Sequence, residues 1–354
     1  MVSGAAANTP VLVTGGAGYI GSHAVLALRD RGWPVAVIDN LTTGFRFAVP
    51  GDVPFYEADV ANQQVLREIF ADWGFGKGRG AVMHFAGSII VPESVTDPLA
   101  YYHNNTVKSR ALIESVVAAG VPHMIFSSTA ATYGVPETSP VSEDMPTQPI
   151  NPYGWSKLMT EQMLRDTAAA HAMNYGALRY FNVAGADPDG RSGQSTAGAT
   201  HLIKVAVEAA LAKRDHVSVY GTDYDTPDGT GVRDYIHVSD LAAAHVAALE
   251  ALIAQPQRSL TMNCGYGRGF SVLEVLDAVD RVTGRSIDRR LEARRAGDPA
   301  MLVADPARIR RTLDWEPDHA DLDTIIAHAL VWEEKLTQLR ADQTAGGELK
   351  SAVG

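Results

Sequence analysis

The sequence predicts an α/β protein in which a doubly wound, parallel Rossmann-type sheet is joined to a smaller mixed α/β substrate-binding lobe. Three observations support this fold class. A glycine-rich turn follows the first apolar strand, short strands and helices alternate through the first half of the chain, and loops rich in Gly, Asp, Thr and Pro break the pattern after about Phe181. The 354 residues suffice for about two domains that each bury a core.

The first strand, Val11 to Val13, leads directly into a turn built from Thr14 to Gly21. Its glycines at 15, 18 and 21 give the spacing G-x-x-G-x-x-G, and a helical pattern through Ala24 and Leu28 follows. Small residues there let backbone N–H groups approach a pyrophosphate, which then lies at the positive end of the helix. This order of elements predicts a dinucleotide site.

The second strand, Val35 to Ile38, ends in Asp39, which comes eighteen residues after Gly21. A carboxylate at this place accepts both hydroxyls of an adenosine ribose and repels a 2′-phosphate. We therefore expect the cofactor to be NAD rather than NADP.

Later strands and helices keep the alternation that is typical of a doubly wound sheet. The remaining strands of the first half are predicted at Pro54–Tyr56, Ala81–His84, His123–Ser127 and Gly176–Arg179. Helices are predicted at Asn62–Ala71, Leu99–Ala119 and Trp155–Ala170 in this half, and at His201–Lys213, Asp240–Ala254, Val272–Thr283 and Leu322–Leu339 in the second. One later strand, Asp234–Val238, is predicted to return to the main sheet.

These elements predict four segments. They are a flexible lead over 1–10, an NAD-binding domain over 11–182 with the returning strand near 234–238, a substrate-binding lobe over 183–337, and a polar flexible tail over 338–354.

Tyr153 and Lys157 lie four positions apart, so on a helix they share one face. A free tyrosine has a pKa of about 10 and is a poor base near neutrality. We expect the Lys157 ammonium to lower the pKa of Tyr153, so that the phenol oxygen exchanges a proton with a substrate hydroxyl.

The carboxyl ends of two strands add further candidates. His84-Phe85-Ala86-Gly87 offers small residues that let a nicotinamide-side ribose lie close to the backbone. Ser127-Ser128-Thr129 ends the next strand, at the edge of the sheet where ligands bind. Thr129 is placed to hydrogen-bond the hydroxyl that Tyr153 deprotonates.

Composition excludes several classes of function. The net charge of −11 disfavours nucleic-acid binding, which needs a basic face. The single cysteine, Cys264, excludes an internal disulfide and is expected to be a buried small residue. The sequence contains neither an apolar run of membrane-spanning length nor a signal-peptide pattern, so we expect a cytoplasmic protein that binds no membrane. No metal site is predicted.

Several motifs together resemble those of the UDP-glucose 4-epimerases within the extended short-chain dehydrogenase/reductase family. The matching segments are 12–23, 39–41, 127–134, Tyr153 with Lys157, 178–182, and the Asp-Gly-Thr-Gly-Val-Arg-Asp-Tyr-Ile-His-Val run at 228–238. The glycine and Tyr/Lys motifs are common to the whole superfamily. The run at 228–238 is much closer to epimerase-specific.

The resemblance implies an isomerase that interconverts UDP-galactose and UDP-glucose. In such enzymes the sugar is oxidised at C4 by bound NAD, turns in the pocket and receives the hydride on its other face. The proton carrier would be Tyr153, aided by Lys157 and Thr129. A homodimer paired through the helices at 99–119 and 155–170 is also implied.

Two sets of binding residues follow from the same resemblance. The cofactor set comprises Gly15, Gly18, Tyr19, Ile20, Gly21, Asp39, Asn40, Asp59, Val60, Phe85, Ala86, Gly87, Asn104, Tyr153, Lys157 and Tyr180. The substrate set comprises Thr129, Asn182, Val217, Tyr220, Arg233, Arg295, Asp298 and Leu302.

Three details bear on the choice among related reactions. Ala130 and Ala131 follow Thr129 where related dehydratases carry an acidic pair, which disfavours elimination of water. Ser88-Ile89-Ile90 lacks a lysine that some epimerases direct at the cofactor. Leu302 stands where some members have a bulky tyrosine, so UDP-N-acetylglucosamine is a candidate substrate.

Two alternatives to the main reading stay open. One is an epimerase of N-acetylated or uronic UDP-sugars, and the other is a catalytically silent NAD-binding sensor.

Overall fold

The chain, described here from a computed structural model over residues 9–295 and 297–345, builds a large parallel sheet and two small sheets. Its strands are β1 Val11–Thr14, β2 Val35–Asp39, β3 Phe55–Glu57, β4 Ala81–His84, β5 His123–Thr129, β6 Asn174–Tyr180, β7 Asn182–Ala184, β8 Val217–Tyr220, β9 Val232–His237, β10 Leu260–Cys264, β11 Gly269–Ser271, β12 Arg289–Glu292 and β13 Met301–Leu302. The large sheet has seven strands in the order β10-β6-β5-β4-β1-β2-β3, and every pairing in it is parallel.

Helices cover both faces of this sheet. They are α1 Tyr19–Asp30, α2 Gln63–Asp72, α3 Val91–Thr96, α4 Pro98–Tyr101, α5 Lys108–Ala119, α6 Pro152–Ala170, α7 Leu202–Ala210, α8 Val238–Ala254, α9 Val272–Thr283, α10 Ala307–Thr312 and α11 Leu322–Ala345. Alternate residues of β1 point to opposite cores: Val11 and Val13 pack with Leu249 of α8, whereas Leu12 packs with Leu112 of α5. This two-sided burial confirms the predicted doubly wound Rossmann-type fold.

The prediction that residues 234–238 return to the large sheet is wrong. They belong to β9, which lies in a separate four-stranded sheet with β7, β11 and β13. The buried Asp234 carboxylate accepts the backbone N–H groups of Tyr266, Gly267 and Ala304, and these bonds hold β9 in the small sheet. The edge beside β6 is taken instead by β10, with Met262 and Cys264 buried.

The segment Leu99–Ala119 is helical throughout, as predicted, but its helix begins at Pro98 and is not α-helical along its whole length. Asp97 accepts the N–H of Ala100 and Pro98 occupies the first turn, so a new helix, α4, starts there. A π-helical turn over Tyr102–Val107 then separates α4 from α5. The extra residue in that turn lets two consecutive side chains, Asn104 and Asn105, reach the same loop.

The chain ends differ from the prediction where they are described. Helix α11 continues to Ala345, so residues 338–345 of the predicted tail are helical. Pro10 is buried and accepts the N–H of Ala81, which ties the end of the predicted lead to β4. Residues 1–8 and 346–354 lie outside the described residues. The division of the chain into two domains at 182–183 stays a prediction. That division places residues 260–264 in the substrate-binding lobe, but they form a strand of the large sheet.

In the second half, α7 and α11 are joined through the buried carboxylate of Glu333. It accepts hydrogen bonds from Lys204 on α7 and from Lys213, which lies 2.6 Å away. Glu333 is 2% exposed, so its charge depends on these two lysines for compensation. Within the described ranges, no helix combines the length and apolar character required to cross a bilayer.

Candidate active site

The β1–α1 turn forms a cradle for a phosphate group. Gly15 has φ +69°, and a Cβ added there would lie 2.5 Å from the backbone nitrogen of Ala86. A Cβ on Gly21 would lie 2.1 Å from the Gly15 oxygen, so only glycine allows α1 to start this close to β1. A Cβ on Gly18 would meet only that oxygen, at 3.2 Å, and would otherwise fill open space.

The start of α1 suits an anion. Gly18 is its N-cap, and no side chain among the described residues caps the helix there. The N–H groups of its first turn, from Tyr19 to Gly21, are therefore available to a pyrophosphate. The Tyr19 hydroxyl donates to the Gly185 carbonyl at 2.7 Å, so this residue offers the cofactor its backbone rather than its phenol. Ile20 packs against the core.

Asp39 ends β2 beside the cradle. Its carboxylate accepts the N–H groups of Ala17 at 2.9 Å and Leu41 at 2.8 Å. Burial raises the pKa of Asp39, and these two bonds act in the opposite direction. The carboxylate is thus fixed at the strand end, as the sequence predicts for a ribose-binding group.

A second carboxylate, Asp59, lies near this end of the site. Lys108 donates to it at 2.6 Å and Asn40 at 3.4 Å. The Val60 side chain is buried in the core. Two of the predicted cofactor residues, Asn40 and Asp59, are therefore in contact with each other.

On the other side of β1, the segment after β4 is held by an asparagine pair. Asn105 accepts the Ser88 N–H at 2.7 Å and donates to the Ser88 carbonyl at 3.0 Å. Asn104 donates to the Ser88 hydroxyl at 2.8 Å. A Cβ on Gly87 would lie 3.0 Å from the Asn105 oxygen and 3.6 Å from Lys157 Nζ, so the backbone comes close to the lysine.

The sequence interpretation missed Asn105. The signal would have been its position beside Asn104 in a helix that follows a glycine-containing strand end. Only the π-helical turn, which the sequence pattern does not reveal, directs both side chains to Ser88.

Thr129 and Tyr153 meet at the carboxyl end of β5. The Thr129 hydroxyl oxygen accepts the N–H of Ala131 at 3.1 Å, which leaves its own proton free to donate. The Thr129 side chain is the neighbour that lowers the pKa of the Tyr153 phenol. Burial of the phenol raises that pKa and is the larger effect.

Lys157 lies one turn further along α6 and is 3% exposed. Its Nζ donates to the Ser127 carbonyl at 3.1 Å and lies 5.0 Å from the centre of the Phe126 ring. Burial lowers the pKa of Lys157 to about 8. The Tyr180 hydroxyl contacts the Ser127 hydroxyl at 2.5 Å, which places this predicted cofactor residue beside the lysine.

The expected effect of Lys157 on the pKa of Tyr153 is not what this ligand-free site shows. Thr129 is the group that lowers it, while burial raises it more. The reason is that Lys157 is itself desolvated and directs its ammonium at the Ser127 carbonyl. The sequence places the two residues on one face of the helix, but burial is the largest influence on the pKa of each.

The predicted substrate residues come together in two groups. Arg233 pairs with Asp298 at 2.5 Å, and its Cα is the register partner of Leu302. The Arg295 guanidinium lies 3.8 Å from the centre of the Tyr220 ring.

Leu302 connects the first group to the catalytic one. It packs in a small cluster with Ala130, Tyr133 and Phe181. Of these, Ala130 directly follows Thr129 in the sequence. Asn182 lies on β7, opposite Tyr235 of β9. The Val217 side chain is buried in the core, so a ligand would meet the backbone of this residue, and its role in binding stays a prediction.

Comparisons with known proteins agree with this geometry. Residues 11–265 match the model of the NAD dependent epimerase/dehydratase family. The UDP-glucose 4-epimerase of Azospirillum brasilense is 55% identical over 338 residues, which are 96% of each chain. The chain therefore belongs to the NAD dependent epimerase/dehydratase family.

Solved structures show the same likeness. UDP-glucose 4-epimerase from Brucella ovis, in complex with NAD, is 46% identical with a TM-score of 0.87, covering 91% of this chain and 98% of that one. The Bifidobacterium longum enzyme, in complex with NAD+ and UDP, is 38% identical with a TM-score of 0.86, covering 92% and 98%. The predictions of the family and of NAD as the cofactor are confirmed.

The lowered pKa of Lys157 makes stability depend on pH. Its pKa is about 8 in the folded protein and about 10.4 in an unfolded chain. Between these values the unfolded chain binds the extra proton, so the free energy of unfolding rises with pH. We expect the wild type, compared with Lys157→Met, to gain on the order of 3 kcal/mol between pH 7 and 10.5. Urea unfolding of ligand-free protein at stepped pH measures this gain.

The matched control is Lys335→Met. Lys335 is exposed and donates to the Gly190 carbonyl at 2.7 Å, so its substitution removes a lysine without removing a buried ammonium, and the pH-dependent gain expected from the Lys157 comparison should be absent. A flat difference for Lys157→Met as well would contradict a lysine buried in its charged form.

Proposed function

We propose that this protein is an isomerase that interconverts UDP-galactose and UDP-glucose by transient oxidation at C4 of the sugar. The observation that carries the proposal is the placement of Tyr153, in the first turn of α6, beside Thr129 at the carboxyl end of β5, where Thr129 lowers the pKa of the phenol. Thr129 lies on the same edge of the sheet as the glycine cradle and is followed by two alanines. Such a site supports oxidation and reduction at one carbon without further acid–base chemistry.

Tyr153 takes the proton of the 4-hydroxyl and later returns it. Thr129 lowers the pKa of the phenol and so favours the phenolate against the cost of burial. Lys157 stays next to the backbone of Ser127 and Gly87, where a nicotinamide ribose is expected. Bound NAD supplies the acceptor and then the donor of the hydride at C4.

The arginines hold the nucleotide so that only the sugar turns. Arg233 and Arg295 supply charge-assisted donors for a diphosphate in a chain that is acidic overall. Arg233 is already oriented by Asp298, and Arg295 by Tyr220. With the nucleotide fixed, the oxidised sugar presents its second face to the same tyrosine, and return of the hydride inverts C4.

A second candidate substrate is a UDP-N-acetylhexosamine, because Leu302 packs in one cluster with Phe181 and with Ala130, the residue after Thr129. Leucine is smaller than the tyrosine found there in some relatives and leaves room for an acetamido group. The two alanines after Thr129 disfavour a dehydratase, and intact Thr129, Tyr153 and Lys157 disfavour a silent sensor.

The direct test is to incubate the purified protein with UDP-galactose, without added NAD, and to follow UDP-glucose by chromatography. We expect conversion by the wild type and a loss of at least about a hundredfold in kcat for Tyr153→Phe, because the proton carrier is gone. UDP-N-acetylgalactosamine, run in parallel, tests the second candidate.

Tyr175→Phe is the control for this test. Tyr175 is a buried tyrosine at the opposite end of β6, away from the strand ends that carry the site. It should keep wild-type kcat. Full activity of Tyr153→Phe would contradict the assignment of Tyr153 as the proton carrier. Lack of conversion by the wild type, even with NAD added, would sink the proposed reaction.

We also propose a homodimer. An apolar surface on α3–α6 leaves Leu99 78% exposed and Val95 62% exposed, beside the partly exposed Trp155 and Met159. Paired copies would cover these side chains. Light scattering should give the mass of two chains, and Leu99→Asp should reduce it to one; a wild-type mass of one chain would refute the pairing. The predicted cytoplasmic location stays a prediction.

A further inference from the structure

Helix α6 carries three buried ionisable side chains on one face. Tyr153, Lys157 and Glu161 are spaced by four residues, and their exposed fractions are 7%, 3% and 2%. Tyr153 and Lys157 belong to the chemistry proposed above. Glu161 was not singled out by the sequence, and its carboxylate lies too deep for water to compensate its charge.

Three consecutive residues of strand β5 contact this face of α6. Thr129 contacts Tyr153, the Ser127 carbonyl accepts from Lys157, and the Ser128 hydroxyl donates to Glu161 at 2.5 Å. Three consecutive strand residues therefore contact three consecutive turns of the helix. Of these three contacts, only the one at Glu161 lies away from the cofactor and substrate residues.

Glu161 also reaches the neighbouring strand. Arg179 of β6, the register partner of Ser128, donates to both oxygens of the carboxylate, at 2.9 and 2.5 Å. This bidentate arrangement fixes distance and orientation together. A helix tethered to two adjacent strands at once cannot slide along or rotate over the sheet without breaking one tether.

The ion pair continues towards the substrate-binding lobe. Arg179 donates to the Tyr133 hydroxyl at 3.0 Å, and Tyr133 donates to Asn263 at 2.7 Å. Asn263 donates to the carbonyl of Val141, whose N–H bonds to the Val303 carbonyl next to Leu302. Through these hydrogen bonds, Glu161 on α6 is linked to Val303, the residue that follows Leu302 of β13.

We propose that Glu161 is a positioning residue: by joining α6 to Ser128 and Arg179 it holds Tyr153 beside Thr129 and keeps Lys157 in its hydrogen bond with the Ser127 carbonyl. It touches neither cofactor nor sugar and acts only through the position of the helix. A hydrogen bond is lost with a displacement well below the 1.5 Å rise of one helical residue. This inference rests on the reaction proposed above.

Displacement of α6 changes titration as well as rate. Moved away from Thr129, the phenol loses the interaction that lowers its pKa, so burial raises the pKa of Tyr153 further. The other titratable groups that influence or neighbour it are Lys157 on α6, Tyr180 on β6, and Tyr101 on α4 with its partner Glu93. None of these contacts Glu161, so a substitution at 161 leaves them in place.

The test compares Glu161→Gln with wild type in the conversion of UDP-galactose. We expect kcat to fall by about tenfold or more while KM changes by less than about twofold, because substrate contacts are untouched and the base is displaced. The acidic limb of the kcat–pH profile should move to higher pH, since Tyr153 deprotonates less readily.

Glu333→Gln is the matched control. Glu333 is also 2% exposed and also depends on buried positive partners, Lys204 and Lys213, but it lies between α7 and α11. It should lose stability to a similar degree, measured as the urea midpoint, yet keep the kcat and pH profile of wild type. Equal kinetic changes in both variants would reduce Glu161 to a stability residue and overturn the inference.

Ser128→Ala covers the case in which Glu161→Gln does not fold. It removes one tether and leaves the ion pair with Arg179 intact, so we expect a fall in kcat of about threefold with the same direction of pH shift. Wild-type kcat and pH profile in Ser128→Ala, or in a folded Glu161→Gln, would overturn the inference. An inactive wild type would instead remove the proposed reaction, and the inference with it.

Discussion

The interaction between Thr129 and Tyr153 is the one on which the rest of the site depends. Burial opposes the phenolate that the chemistry needs, and Thr129 is the neighbour that favours it. The Thr129 oxygen also accepts the Ala131 N–H, which fixes the hydroxyl at the end of β5. Thr129 can favour the phenolate only while α6 and the end of β5 keep their relative positions. Catalysis therefore depends on how this helix packs on the sheet.

The fold meets that requirement with rigid elements. Parallel strands bring the cradle at Gly15, the carboxylate of Asp39 and the hydroxyl of Thr129 to one edge of the sheet. The Glu161–Arg179 pair ties α6 to β6 near that edge, and Arg233 on the small sheet is held by its ion pair with Asp298. Buried charge is costly, and here its value lies in fixing geometry rather than in adding stability.

Local signals in the sequence predicted the large sheet, the glycine cradle and the Tyr153–Lys157 face, because each depends on neighbours within a few residues. The place of β10 beside β6 was missed since an apolar run does not reveal its partner strand. The π-helical turn before α5 and the partners of Glu161 were missed for the same reason: they depend on contacts between residues far apart in the chain. The pKa of Tyr153 depends on burial, which spacing does not report.

The central claim is that one tyrosine and one returning hydride carry the reaction at a single carbon. The most direct test uses UDP-galactose with deuterium on C4, converted by the wild type in ordinary water, with the UDP-glucose product examined by mass spectrometry and NMR. The account predicts that the product keeps the full deuterium content, still on C4, because the hydride never exchanges with water. Loss of deuterium to the solvent, or its appearance on another carbon, would contradict it.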